Sequence, residues 1–382
     1  MAKTTRLSLE EIAEYFGELE DPRSSINLLH PLISVVMIAL MATLAGAAGP
    51  TGIALWAGMK KDLLLSCLDL PNGIPRKDVF RRVLAALKPD VFQACFAQWI
   101  GSLRAAADVE HPVVAIDGKT LRRSHDASKG LGALHVVSAW ATEMGLSLGQ
   151  VATDQHSNEI TAIPELLKLI GLEGTIITID AMGTQTAIAE QIVAGKADYV
   201  LAVKGNQEGL HQTTVAYINR QMESDFRNCG ARRHVTKETS HGREEIRQYI
   251  QMPVPSDFPE LDRWAGLKTL GLVIRTSTCN GKESTESRYY ISSLPVGVKC
   301  FANAVRSHWE IENTCHWCLD VTFREDESRI REDHLRQTHA WLNRFTLSLL
   351  KQHPSKQSIA MKRRSCGWND NFLLEVLCGK TT

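Results

Sequence analysis

The spacing of apolar residues changes near residue 110. Before that point they recur at helical intervals, as in 90–103, where they fall at i, i+1, i+4 and i+5. Beyond it, short continuous apolar runs alternate with helical stretches, and a hairpin pattern covers 134–152. These runs are 113–118, 175–180 and 198–204. The order β-β-β-α-β-α-β with continuous apolar strands predicts an α/β fold whose sheet is covered on both faces.

The rest of the pattern divides the second part of the chain. Residues 208–300 are more polar and contain strand-like pieces, which predicts a β-rich insertion. Helical periodicity resumes at Ala302 and returns over Leu335–Lys351. We therefore expect an all-α domain over 1–110 and an α/β domain over 111–382, with the insertion at about 208–300.

One apolar stretch could form either a membrane-spanning helix or a buried helix of the protein core. Residues 32–59 carry no charge, and a membrane helix needs about 20 predominantly apolar residues. Gly46, Gly49 and Pro50 interrupt the run, however, and the part before them is too short to span a bilayer. We expect a buried helix of a helical domain, with a membrane segment as the alternative.

Composition narrows the class of protein. Lys and Arg number 43, as do Asp and Glu, so the net charge is zero, which argues against a polycation that holds nucleic acid by bulk charge. Nine scattered cysteines fit reduced thiols better than a disulfide framework. The first residues lack the apolar core of a signal peptide, so we expect a cytoplasmic protein.

Two acidic residues end two of the predicted strands. Asp117 follows VVAI, and Asp180 follows TIITI. Sites in open α/β sheets form at the carboxyl ends of the strands, so on neighbouring strands both carboxylates would share one crevice. Like charges repel there unless a cation neutralises them, and Mg²⁺ prefers such oxygen ligands. The alternative is that each aspartate only opens a turn or caps a helix.

A third acid is expected on a helix over 303–320. At regular α-helical spacing, His308, Glu312 and His316 share one face of this helix. Glu310 points about 160° away from Glu312, because successive residues are about 100° apart. Only one of the two glutamates can therefore face the crevice together with the histidines.

Segments around these acids resemble the DDE transposases of bacterial insertion sequences, and in particular the H-repeat-associated group. The segments are AIDGKTLRRS, TIDAMGTQ and HWEIENTCHWCLDVTFREDESRIR, together with DYVLAVKGNQ at 198–207 and RYYISSL at 288–294. DPR at 21–23 and NGIPRKDVFRRV at 72–83 are similar to the helical domain associated with that group. The likeness runs from about residue 8 to 378, and the order and spacing of the segments make it specific.

The resemblance implies a ribonuclease H-like core with a β-rich insertion before the last catalytic helix. It implies that Asp117, Asp180 and Glu312 bind two Mg²⁺ ions, which Mn²⁺ can replace. The implied activity is DNA cleavage at the ends of an insertion sequence, followed by strand transfer. The implied partners are terminal inverted repeats and target DNA, bound by a homodimer, with no membrane.

The chain departs from one signature of related cut-and-paste transposases. Val305, His308 and Leu319 stand at its tyrosine, arginine and lysine positions, which puts a hairpin-forming step in doubt. Two alternatives therefore stay open beside an active transposase. One is a catalytically inactive DNA-binding relic, and the other is a metal-dependent nuclease without strand transfer.

Basic residues are common after the acidic positions. We expect contacts to DNA phosphates, which position a duplex without reading its sequence, from a set of eleven side chains. The set is Lys119, Arg122, Arg123, Lys204, Asn206, Arg243, His308, Arg329, Lys362, Arg363 and Arg364. The alternative for each patch is an ordinary solvated surface. Cys315 and Cys318 have zinc-knuckle spacing, but a second pair of ligands with that spacing is missing from the sequence.

Overall fold

The chain folds into two compact units. The structure, a computed structural model, describes residues 9–17, 19–23, 28–105, 109–153, 158–240 and 242–379, without the side chains of 104, 105 and 129. The first unit comprises Met1–Val109, Gly118–His156 and Glu312–Thr382, and the second comprises Glu110–Asp117 and Ser157–Ile311. Both units therefore combine segments that are far apart in the sequence.

The predicted order β-β-β-α-β-α-β is found over residues 113–203. The helices are α1 (Leu9–Glu14), α2 (Leu32–Leu44), α3 (Gly49–Met59), α4 (Lys61–Cys67), α5 (Lys77–Ala86), α6 (Pro89–Ala105), α7 (Glu159–Leu169), α8 (Thr186–Ala194), α9 (Glu208–Glu223), α10 (Val298–Glu310), α11 (Trp317–Val321), α12 (Asp333–Gln352), α13 (Ile359–Trp368) and α14 (Asp370–Cys378). The strands are β1 (Val113–Leu121), β2 (Leu134–Ala141), β3 (Leu146–Thr153), β4 (Ile176–Ile179), β5 (Asp198–Val203), β6 (Arg232–Ser240), β7 (Arg243–Pro253), β8 (Thr269–Cys279) and β9 (Lys282–Ser292). A π-helical turn, Ile311–His316, joins α10 to α11.

The second unit is a mixed α/β layer. Its strands lie in the order β1-β4-β5-β9-β8-β7-β6. The first three are parallel and almost fully buried, as continuous apolar strands require, whereas the last four are antiparallel. Val113, Ile176 and Val200 form a core with Phe301 and Val305 of α10. This core fixes α10 on the parallel strands, and the predicted α/β class is confirmed.

The segment predicted as a β-rich insertion begins with a helix. Residues 208–223 form α9, which buries Leu210, Thr214 and Ile218. The strand-like pieces seen in the sequence lie in β7, β8 and β9, while β6 was not predicted. Strand β6 is mostly exposed and polar on both faces, so it lacks the apolar alternation that marks a half-buried strand.

The first unit joins the N-terminal helices to the C-terminal ones. The Phe96 ring on α6 packs against the Phe345 ring on α12 at a tilt of 50° with centroids 4.1 Å apart, and the Trp99 ring centroid lies 4.6 Å from that of Phe345. Strands β2 and β3 form an antiparallel hairpin against which α6 and α12 pack. The end of β1 contacts this hairpin, because Thr120 Oγ1 lies 2.7 Å from His135 Nδ1. One core therefore holds helices from both ends of the sequence.

The uncharged run at 32–59 forms two helices. Every residue of α2 except Ile33 is buried, as expected of a core helix. In the described part of the chain, no single helix is long and apolar enough to cross a membrane. Helices α2 and α3 pass that test only as a pair, and they are bent by 92° at the break between them.

Candidate active site

The register of two parallel strands brings two aspartates side by side. Ile116 on β1 pairs with Ile179 on β4, and the next residues are Asp117 and Asp180. Adjacent strands lie about 4.8 Å apart, so both half-buried carboxylates are at the same edge of the paired segment. Strand β1 does not end there, as the sequence suggested, but continues to Leu121. The run of apolar residues in β1 ends before Asp117, but the strand itself extends beyond it.

Asp180 is held by its own turn. Its Oδ1 accepts hydrogen bonds from the backbone N–H groups of Met182 and Gly183, at 3.0 and 3.2 Å. Its carbonyl oxygen accepts one from Thr184 Oγ1 at 3.1 Å. Such a turn fixes the rotamer of an aspartate, so the direction of the carboxylate is set by the local sequence DAMGT.

The loop after β5 supports this turn. Asn206 Nδ2 donates to the carbonyl oxygen of Ala181 at 2.6 Å, and Gln207 Nε2 donates to that of Thr184 at 2.9 Å. Asn206 was expected at DNA, and its amide instead binds the loop that carries Asp180. Lys204, just before it, is exposed.

Helix α10 is tied to β4 one pleat before Asp180. His308 Nδ1 lies 3.1 Å from Thr178 Oγ1. Because side chains alternate along a strand, Thr178 projects to the same face as Asp180. His308, expected to contact phosphate, is half-buried and hydrogen-bonded to the sheet. No sequence pattern indicated Thr178, because a threonine inside an apolar strand is ordinary.

Glu312 lies in the π-helical turn and not in a regular α-helix. In this turn Glu312 Oε2 is 3.7 Å from Nδ1 of His316, whose side chain is only 6% exposed. Carboxylate and imidazole atoms at this separation could hold a metal ion. The predicted regular helix over 303–320 was wrong here, since a π turn widens the spacing and shifts the faces of later residues. Single π turns of this kind often occur at functional sites.

Lys119 is buried by two acidic partners. Its Nζ lies 2.6 Å from Asp320 Oδ1 and 3.2 Å from Asp326 Oδ1. Asp326 also pairs with Nε of the exposed Arg122 at 3.2 Å. Lys119 thus differs from the surface position that we expected for a phosphate contact. Its partners are about 200 residues away in the sequence, so no local pattern could have indicated them.

The C-terminal basic run is divided between core and surface. Lys362 Nζ donates to the carbonyl oxygens of Leu350 and His353, at 2.9 and 2.6 Å. Arg363 donates to backbone carbonyls and is 9% exposed, and burial lowers its pKa to about 10. Both residues lie deeper than expected, because α13 places them against α12 and α2. Arg364 is exposed.

The remaining expected DNA contacts lie on the surface. Arg123 and Arg329 are exposed. Arg243 is also exposed, with Nη1 at 3.6 Å from Glu245 Oε1. Glu245 already accepts charge-assisted hydrogen bonds from two other arginines, Arg247 and Arg275. The guanidinium of Arg243 is therefore only weakly paired with Glu245.

The C-terminal segment also buries an ion pair and a thiol. Glu325, in the charged stretch after α11, forms an ion pair with Arg344 in which both side chains are fully buried. Burial raises the pKa of Cys315 to about 12. A thiol with so high a pKa is a poor metal ligand, because the thiolate is the form that binds metals.

Comparisons with known proteins agree with this arrangement. The family model described as "Transposase DDE domain" matches residues 108–350, and the model described as "DDE_Tnp_1-associated" matches residues 13–100. These two matches define the class of the protein as a DDE transposase. The chain belongs to the DDE transposase family and carries the domain associated with it, and the resemblance found in the sequence is confirmed.

Two of the similar proteins come from Escherichia coli. The "H repeat-associated putative transposase YhhI" of strain K12 is 36% identical over 98% of this chain and 99% of its own length. The "Putative transposase YncI" of O157:H7 is 38% identical over 97% of this chain and 95% of its own length. Among solved structures, a piggyBac transposase synaptic complex with hairpin DNA covers 97% of this chain and 78% of that one. Its TM-score is 0.39 at 13% identity, too weak a likeness to support an inference.

Proposed function

We propose that this chain is an active transposase that uses Mg²⁺ to cleave DNA at the ends of an insertion sequence and to join the freed 3′-hydroxyl to target DNA. The observation that carries the proposal is the parallel register that sets Asp117 beside Asp180. Two adjacent carboxylates repel each other, and a divalent cation removes that repulsion. Membership of the DDE transposase family supports the same assignment.

In this proposal Asp117, Asp180 and Glu312 bind the metal, and Mn²⁺ can replace Mg²⁺. When bound by these three carboxylates, the divalent metal would supply an activated oxygen nucleophile and would stabilise the leaving oxygen. The nucleophile is water in the cleavage step and a 3′-hydroxyl in the joining step. The turn after β4 keeps the Asp180 carboxylate in one orientation, so it needs no rearrangement when metal and DNA bind.

DNA is the proposed partner, bound as terminal inverted repeats and as target, with a homodimer as the proposed assembly. The exposed cations Arg123, Lys204, Arg243, Arg329 and Arg364 are the proposed phosphate contacts. Lys119, Lys362 and Arg363 would have to exchange their present partners within the protein for phosphate oxygens, which would cost the interactions that they now make.

Cleavage and binding assays on Asp117→Asn test the aspartate assignment. With a duplex that carries the terminal repeat, the variant should lose Mg²⁺-dependent cleavage and keep DNA binding, because Asn removes the charge and preserves the shape. Retained cleavage would remove Asp117 from the site. Wild-type protein that binds but never cleaves would be an inactive relic, and cleavage without joining would indicate a nuclease.

A pair of glutamate variants tests the third ligand. Glu312→Gln should abolish cleavage as completely as Asp117→Asn, whereas Glu310→Gln, two residues earlier, should change the rate only slightly. The two substitutions are chemically identical and lie on either side of the junction between α10 and the π-helical turn, so they are matched controls. The opposite ranking would assign the metal to Glu310.

A further inference from the structure

The turn that carries Glu312 also presents a buried imidazole. Glu312 Oε2 and His316 Nδ1 are 3.7 Å apart, in one π-helical turn of the first unit. The side chain of His316 is 6% exposed, while that of Glu312 is 58% exposed. The imidazole is thus enclosed by the protein, whereas the carboxylate is largely open to solvent.

The separation of these two atoms suits a shared ion. A gap of 3.7 Å is longer than a hydrogen bond between nitrogen and oxygen. An ion with metal–nitrogen and metal–oxygen distances of about 2.1 Å puts its two ligand atoms roughly 3.0 Å apart at 90° and roughly 3.6 Å apart at 120°. A small movement of the exposed Glu312 side chain would bring the pair into that range. These two residues therefore fit a metal ion.

We propose that His316 is a nitrogen ligand of the same ion that Glu312 binds. This inference rests on the proposed function, and it adds a ligand that the three acids do not include. Imidazole favours transition metals, whereas Mg²⁺ prefers sites made only of oxygen. The site should therefore bind Mn²⁺ more tightly than Mg²⁺, and this preference should depend on His316.

Electron spin-echo spectroscopy of Mn²⁺ added to the full chain tests the proposal. A coordinated imidazole gives a characteristic ¹⁴N modulation, which should be present in the wild type and lost in His316→Gln. It should persist in His308→Gln, which removes the imidazole one turn before Glu312 on the same helix. The Kd for Mn²⁺, measured by titration, should rise about 10–100-fold in His316→Gln, the range for loss of supporting groups at metal sites, and the Kd for Mg²⁺ should rise much less.

Labelling of the histidines with ¹⁵N tests for a nitrogen ligand in the wild-type protein, without any substitution. In wild-type protein made with ¹⁵N-histidine, the ¹⁴N modulation should disappear, even if His316→Gln does not fold. If Mn²⁺ binds in a Glu312-dependent manner without nitrogen modulation, His316 is not a ligand and the proposed function stands. If Mn²⁺ binding is unaffected by both Asp117→Asn and Glu312→Gln, the proposed metal site itself is refuted.

Discussion

Replacing Arg344 by Met should destabilise the first unit strongly. The guanidinium and the carboxylate of Glu325 are 2.9 Å apart, and both side chains have an exposure of 0%. Arg344 also donates from Nε to Ser138 Oγ at 3.0 Å and from Nη1 to the carbonyl oxygen of Ala340 at 3.1 Å. In the variant, the Glu325 carboxylate would stay buried without its cation, with Asn343 Nδ2 still 3.3 Å away.

The expected loss follows from the burial of the pair. Breaking a buried ion pair by removing one partner costs about 3–5 kcal/mol, out of a total unfolding free energy of about 5–15 kcal/mol. Replacing both residues by apolar ones, as in Arg344→Met with Glu325→Met, should restore most of that loss, because no uncompensated charge is left. The exposed pair Arg324–Glu327 is the control, and Arg324→Met should cost at most about 1 kcal/mol.

Urea unfolding, followed by circular dichroism and tryptophan fluorescence, gives the unfolding free energies of the wild type, Arg344→Met, Glu325→Met, the double variant and Arg324→Met. Arg344→Met is expected to be the least stable variant, and the double variant is expected to be more stable than it. A loss below about 1 kcal/mol in Arg344→Met, or a double variant as unstable as the sum of both single ones, would refute it.

Three further outcomes are expected. Gly271→Ala should lower stability by about 1–3 kcal/mol in urea unfolding, since a Cβ there would lie 2.3 Å from the Phe301 ring that fixes α10, whereas Gly205→Ala, with nothing within 4 Å, should have little effect. Burial lowers the pKa of His339 to about 4, below the ordinary value of about 6.5, so the unfolded chain takes up a proton first. The free energy of unfolding should therefore fall as the pH drops from about 6.5 to about 4. In His339→Gln the urea midpoint should depend less on pH, and equal slopes of midpoint against pH in the variant and the wild type would contradict this. Arg364→Gln should reduce the slope of log K for DNA against log salt by about 0.9, and an unchanged slope would place Arg364 away from DNA.

The sequence was most informative where apolar runs were long and local. The strands that carry Asp117 and Asp180 were predicted because continuous apolar residues leave few alternatives. The turn that orients Asp180 is also local, since DAMGT forms its hydrogen bonds within five residues. Such features depend on neighbours in the chain, and a sequence pattern can express them.

Contacts between distant segments could not be predicted in this way. Lys119 was interpreted as a surface charge, and no local pattern marks Glu325 as buried, because charged residues are mostly exposed. Each is buried by a partner brought in from elsewhere: Asp320 and Asp326 for Lys119, and Arg344 for Glu325. The π turn at Glu312 was missed for a related reason, because helical periodicity assumes one spacing throughout.

The arrangement of the first unit has a consequence for synthesis on the ribosome. The apolar helix α2 packs against α12, and about 290 residues of chain separate them. At a translation rate of about 5–20 residues per second, α12 is synthesised roughly 15–60 s after α2. During that time α2 can pack against α3 and α5 but lacks α12, so part of this almost entirely apolar helix is open to aggregation and to chaperones. Only a chain translated nearly to its end can complete this core, so a prematurely terminated transposase would leave α2 uncovered by α12.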